Sequence, residues 1–334
     1  MGLMRAHSVP KSTRILLGAL LTVTTLLFVF KYRIYNQSQG QPNAARFQQI
    51  HIPFIQLIPS STIRNPWVLF SAIFAETSLI TFVFSFVVLY IGSKFVERFW
   101  GQFEVVKFIL VVGGVTNLIT VLVAIVSNLV RQDLKSMNLP LGGGISYYFG
   151  FLVVFKQLIP EHNIVLFRGL VNFRVKHLPF AFMIILTIWS AVISQSLYPA
   201  VPSITSFFIA YFYLRFFQSL RTDPTLPIST NDATNSSVLV GDASDTFQLV
   251  EFFPKTLKPY LSPVFEQVYQ FAVFLAVITP FNDEAVTQSN SRAQKRQEQA
   301  NQATKSIASS VAERRRQVAL QVIEDRINKG STSS

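Results

Sequence analysis

Thirty-seven consecutive residues, Leu178 to Leu214, carry no charge, and no other feature constrains this chain as much. As one helix the run would be about 55 Å long, nearly twice the ~30 Å apolar core of a bilayer. Pro199 and Pro202 interrupt it near the middle. The run therefore predicts two spans, 178–197 and 201–217, joined by a tight turn at Tyr198-Pro199. Four further apolar runs precede it, at 15–30, 67–92, 105–130 and 141–159, the second broken only by Glu76. The first has the length of a signal-peptide core, but Lys31 and Arg33 follow where a small-residue cleavage site belongs, so it reads as an uncleaved span. The expected fold is an all-α polytopic membrane protein, a six-span bundle.

Composition closes off the alternatives. Half the residues are hydrophobic, 32 are Phe and only 14% are charged, against about 25% charged for soluble domains. The absence of cysteine excludes disulfides, a thiolate nucleophile, iron–sulfur clusters and Cys-ligated zinc. The four histidines, His7, His51, His162 and His177, are not at metal-binding spacing. No metal and no cofactor are expected.

The +12 net charge is unevenly placed. Residues 1–218 hold 17 Lys/Arg against 5 Asp/Glu, while residues 219–334 hold 12 of each. The excess sits on short loops, where it orients spans in the bilayer, so nucleic acid is not needed to explain it. With six spans both termini share a side. That side carries Arg5, Lys11, Arg14, Lys94, Arg98, Arg168, Arg174, Lys176, Arg215 and Arg221, and the other carries Lys31, Arg33, Arg46, Arg64, Arg131 and Lys135. The excess places both termini in the cytosol.

The organisation read from the sequence is a membrane domain at 1–218, a polar linker at 219–246, an apolar interfacial segment at 247–280 and a charged helical tail at 281–334. The linker is rich in Asp, Thr, Ser and Asn and reads as solvated. The interfacial segment is broken by Pro254, Pro259 and Pro263, and its last stretch, 264–278, is too short to span comfortably. In the tail, Arg314, Arg315 and Arg316 flank an apolar face that includes Val318 and Val322. That surface has two readings, a partner-binding helix or one lying on anionic lipid.

Within the spans, Glu76 has to face the bundle interior or a water cavity, either as a functional group or as hydrogen-bonding glue. Gly142, Ser146 and Gly150 recur every fourth residue, a small-residue stripe suited to close helix packing. Glu97 and Arg98 sit at a membrane interface, where ion pairing is the ordinary role.

Two segments resemble rhomboids. PWVLFSAIFAE at 66–76 with Gly92, Glu97 and Gly101 resembles the second-span region, and GISY at 144–147 resembles the GxSG that carries the catalytic serine, placing Ser146 there. A serine hydroxyl needs a base, which rhomboids draw from a histidine in the sixth span. Here no His lies beyond residue 177, Glu76 stands at the FxH position and Tyr147 follows Ser146. The chain is also closely similar to the transmembrane protein 115 family, rhomboid-like Golgi membrane proteins without protease activity. The matching strings are ERFWG at 97–101, which contains Trp100 and Gly101, FKQ at 155–157, YLRFFQ at 213–218, FFP at 252–254 and AERRRQVAL at 312–320. The resemblance implies a six-span core, cytosolic termini, a Golgi membrane that cycles with the endoplasmic reticulum, and a part in Golgi-to-ER retrograde vesicle transport and protein glycosylation.

The leading expectation is a non-catalytic scaffold, a pseudoprotease whose tail binds cytosolic vesicle-trafficking or tethering machinery. An intramembrane serine protease using Ser146 and a small transporter using Glu76 are the alternatives. The bilayer is the constant partner, and a second copy of the chain is a further one the sequence allows.

Overall fold

The computed structural model describes residues 9–39, 46–132, 137–160, 163–166, 171–220 and 239–298. Six apolar helices build the membrane part: α1 (Lys11–Ser38), α2 (Leu79–Trp100), α3 (Gln102–Arg131), α4 (Ile145–Leu158), α5 (Leu178–Trp189) and α6 (Ala200–Phe212). One wider, π-type turn prolongs α5 over Ser190–Ser194 and another prolongs α6 over Tyr213–Phe217. Five of the six are long and apolar enough to cross a membrane. The protein is a polytopic helical membrane protein.

The exception is α4, whose 14 residues rise only about 21 Å. It does not have to match the bilayer, because 11 of its 14 residues are buried by the surrounding helices. Lipid tails are as apolar as Phe, so the gain in burying α4 lies in close van der Waals packing. Phe151 lies flat against the bare backbone at Gly92 of α2. On the α3 side Phe108 fills the space beside Gly150 and makes ring contacts with Trp100 and Tyr213, at centroid distances of 5.4 and 5.6 Å.

Because the helices alternate in direction, their end contacts define two membrane ends. At the near end the start of α1 meets the end of α2, through Ser12 and Glu97. There too the start of α3 meets the end of α6, where the Tyr213 hydroxyl donates to Glu104 at 2.6 Å. At the far end the approach to α2 meets the start of α4, through Glu76 and Gly144. Two short antiparallel strand pairs complete the fold: β1 (Asn163–Leu166) with β2 (Val171–Arg174), and β3 (Ser219–Leu220) with β4 (Leu239–Val240). A further helix, α7 (Lys258–Phe274), follows the membrane part, and residues 283–298 are helical.

Three expectations need correction. The second apolar run is not one helix over 67–92. It makes short turns at Val68–Ser71 and Ala72–Phe74, breaks, and restarts at Leu79, capped by the Ser78 hydroxyl accepting from Ile80 N at 3.3 Å. Phe70 and Ile73 pack against the glycine pair Gly113 and Gly114 of α3, which gives this irregular segment room inside the bundle. The 219–246 stretch is not a solvated linker throughout, since Asp242, Ala243 and Ser244 are buried. Gly142 lies before α4 and faces Leu57 and Ala72, while Gly150 faces Phe108, so the stripe meets two different neighbours rather than one partner helix.

Candidate functional site

The far-end cluster is built around Glu76, 5% exposed, in the break before α2. Its Oε1 accepts from the Ser85 hydroxyl at 2.6 Å and from the Gly144 backbone N–H at 3.1 Å. Ser85 also shares a hydrogen bond with the Tyr148 hydroxyl. Thr24 of α1 clamps the break from the other side, donating to Phe74 O at 2.8 Å and accepting from Glu76 N at 3.4 Å. Glu76 thus lies at the approach to α2 and not midway along a span, and its carboxyl joins α2 to the start of α4.

Ser146, the second residue of α4, is 1% exposed, and its Oγ has no hydrogen-bond partner among the described residues. The neighbouring Tyr147 hydroxyl is likewise buried and unpartnered. Tyr147 stacks on Phe74 at 6.5 Å and meets Tyr148 edge-on at 5.0 Å. Acyl transfer requires a base on the nucleophile and donors for the oxyanion. Among the described residues no base reaches Ser146, and the Gly144 N–H, two residues before it, is already bonded to Glu76. His162 lies outside the described residues.

The near-end cluster was not foreseen. Asp242, 5% exposed, accepts from Arg296 at 3.1 Å, from Gln157 Nε2 at 2.9 Å and from Ser244 N at 3.1 Å. Burial alone would raise its carboxyl, but Arg296 and the bonds from Ser244 and Gln157 outweigh that and hold it below the usual carboxylate range. Arg215 donates to the carbonyls of Asp242 and Ser244, both at 2.7 Å. Lys156, 2% exposed, donates to Thr246 O at 2.8 Å and lies over the Phe252 ring, 4.1 Å from its centroid. The strings at 155–157, 213–218 and 252–254 therefore converge on one place, where they hold residues 242–253 and the helix at 283–298 against the bundle. The only local signal was an acidic residue within a polar stretch, and its partners lie far away in sequence.

Glu97 is not engaged as a simple surface ion pair. Its carboxyl accepts from Ser12 N at 3.1 Å and from the Ser12 hydroxyl, satisfying the first turn of α1. Arg98 is exposed in the last turn of α2, where a cation suits the helix dipole. Gly101 ends α2 and begins α3 at φ +81°, ψ 171°, a conformation open in practice only to glycine. The tail positions Arg314, Arg315, Arg316, Val318 and Val322 lie outside the described residues. Among the described residues no group of three or more His, Asp or Glu could hold a metal ion.

A family model described as Eukaryotic integral membrane protein (DUF1751) matches residues 14–329. The Transmembrane protein 115 homolog of Saccharomyces cerevisiae is 35% identical over 333 residues, covering 96% of this chain and 94% of that protein. Rhomboid-like protein 19 of Arabidopsis thaliana is 32% identical over 214 residues, 64% of either chain. No solved structure matches.

Proposed function

Since this chain belongs to the eukaryotic integral membrane protein family DUF1751, we propose that it is a non-catalytic, rhomboid-like scaffold of the Golgi membrane acting in Golgi-to-ER retrograde transport. The observation that carries the non-catalytic part is the buried Ser146 hydroxyl, which has no hydrogen-bond partner among the described residues. It therefore has no proton acceptor among them, and the Gly144 N–H two residues before it is taken up by a carboxyl oxygen. The cluster instead ties α2 to α4, which supports reading Ser146 as a packing residue and Glu76 as a structural hydrogen-bonding residue. Transporter chemistry at Glu76 finds little support, because its Oε1 already accepts two hydrogen bonds inside the bundle.

The Golgi location, the retrograde route and the effect on glycosylation rest on the resemblance to the transmembrane protein 115 family. In this reading both termini are cytosolic, and the tail, through Arg314, Arg315, Arg316, Val318 and Val322, binds vesicle-tethering machinery. The near-end cluster supports it by fixing the helix at 283–298, which leads into that tail, to the membrane core through Arg296. Rescue of cells lacking the chain tests the proposal. Ser146→Ala should restore cargo return and glycan processing as fully as wild type, whereas Val318→Asp with Val322→Asp should fail while still reaching the Golgi. Failure of Ser146→Ala at normal abundance, or a chain resident elsewhere, would overturn it.

A further inference from the structure

The helix α7 has two unlike faces. Its inward face is anchored to the near membrane end: Phe265 packs on Phe253, which packs on Phe180 near the start of α5, with centroids at 5.5 and 4.9 Å. One turn on, Tyr269 stacks on Phe216 at the end of the α6 span, at 6.3 Å, and Phe281 returns to the same ring at 5.5 Å. The middle of α7 and the chain after it are thus held at the level where two spans meet the membrane surface.

One outward side of α7 is apolar and uncovered, bordered by the exposed Gln267 and Gln270. Val264, Val268 and Phe271 follow one another on one side of the helix, and Phe274, Leu275 and Val277 continue the patch, all between 51% and 83% exposed. No charge falls between Gln267 and Asn282. The two charges of α7 itself are neutralised or bonded locally, Lys258 by Glu251 at 2.6 Å and Glu266 by Gln270 at 3.1 Å.

We propose that this face of α7, with the turn that follows it, inserts shallowly into the acyl region of one leaflet at the near end, continuing the lipid-facing surface of the spans. The occupant is lipid, because α7 rests through Phe265–Phe253 and through Tyr269 on Phe180 and Phe216, which belong to bilayer-crossing helices, and this holds the patch at the level of the bilayer. The contact is made by apolar side chains and not by headgroup charge, since the exposed face offers no cation for anionic lipid. Zwitterionic bilayers therefore suffice, and insertion is insensitive to salt.

The chain has no cysteine, so a single introduced thiol reports one position. Full-length Val268→Cys, Phe271→Cys and Gln270→Cys proteins, each labelled with an environment-sensitive fluorophore, are reconstituted in phosphatidylcholine vesicles carrying a nitroxide near the headgroup end of the acyl chain. Labels at 268 and 271 should lose most of their emission to the nitroxide, while the label at 270, turned about 100° from 271, is quenched by an aqueous agent instead. The same pattern should persist at high salt. Three results would overturn the proposal: aqueous quenching at all three positions, nitroxide quenching only with anionic lipid at low salt, or a disulfide between copies of the unlabelled Phe271→Cys protein with no lipid quenching of the labelled one, which would make a second copy the occupant.

Discussion

Replacing Asp242 by Ala removes one carboxylate and takes an acceptor from three donors, of which Gln157 Nε2 keeps Gln218 Oε1 at 3.4 Å. Arg296, whose side chain is 20% exposed, loses its ion pair, Gln157 Nε2 loses its 2.9 Å acceptor, and the buried Ser244 N–H loses its own. Removing one partner of a buried pair typically costs about 3–5 kcal/mol, against roughly 0–1 for an exposed pair. Arg296 can still turn partly to water, which places Asp242→Ala near the lower end, about 3 kcal/mol. Asp242→Asn keeps an acceptor and loses the charge, and should cost about 1–2 kcal/mol. Acid provides a second readout. The folded carboxyl lies below its unfolded value, so its contribution is present above about pH 4 and is lost as pH falls through the folded value. The assay is unfolding in detergent micelles with limited proteolysis at 283–298, between pH 8 and the acid limb. Wild type should hold this contribution level from pH 8 to 5 and lose it in acid, and Asp242→Asn should lack that share of the acid slope. An Ala variant within about 0.5 kcal/mol of wild type, with unchanged protection of 283–298, would refute the buried-hub argument.

Three other outcomes follow from the same geometry. Gly101→Ala forces a side chain into a backbone conformation of φ +81°, ψ 171° and should cost about 1–3 kcal/mol, read as a lower midpoint in thermal unfolding. Glu76→Leu leaves the Gly144 N–H without an acceptor and one Ser85 bond unmade, an expected loss of about 1–3 kcal/mol per stranded group, whereas Glu76→Gln should fall within about 1 kcal/mol of wild type by the same assay. With both termini cytosolic, the sequon at Asn235 should carry no glycan, checked by an endoglycosidase mobility shift. A glycan there would place the 221–238 region in the lumen and refute the six-span topology.

The spans were legible because bilayer thickness, Pro199 and the flanking charges leave few ways to fold runs such as 178–214. The break before α2 was harder to read. Apolarity continues through Phe74, and hydropathy does not distinguish a helix from an irregular segment buried in protein. Ser78 ahead of the apolar run was the available sign, being an N-cap residue type at the true start of α2. The short length of α4 is set by its burial, a tertiary property. The Asp242 hub was invisible for a related reason: its side chain meets Gln157 and Arg296, 85 and 54 residues away, while Ala243, Ser244, Asp245 and Thr246, which follow it, have a linker's composition. Glu76 was recognised as a residue that must face inward, but its partners Ser85 and Gly144 follow only from how the broken segment packs.

The central claim is that the serine at the rhomboid-like position does no chemistry. Purified full-length protein and its Ser146→Ala variant, each reconstituted in liposomes with a fluorescently tagged transmembrane peptide, test this directly by gel. The expected result is no cleavage by wild type above the Ser146→Ala background, because the Ser146 hydroxyl has no base among the described residues. Cleavage by wild type that disappears in Ser146→Ala would contradict the account.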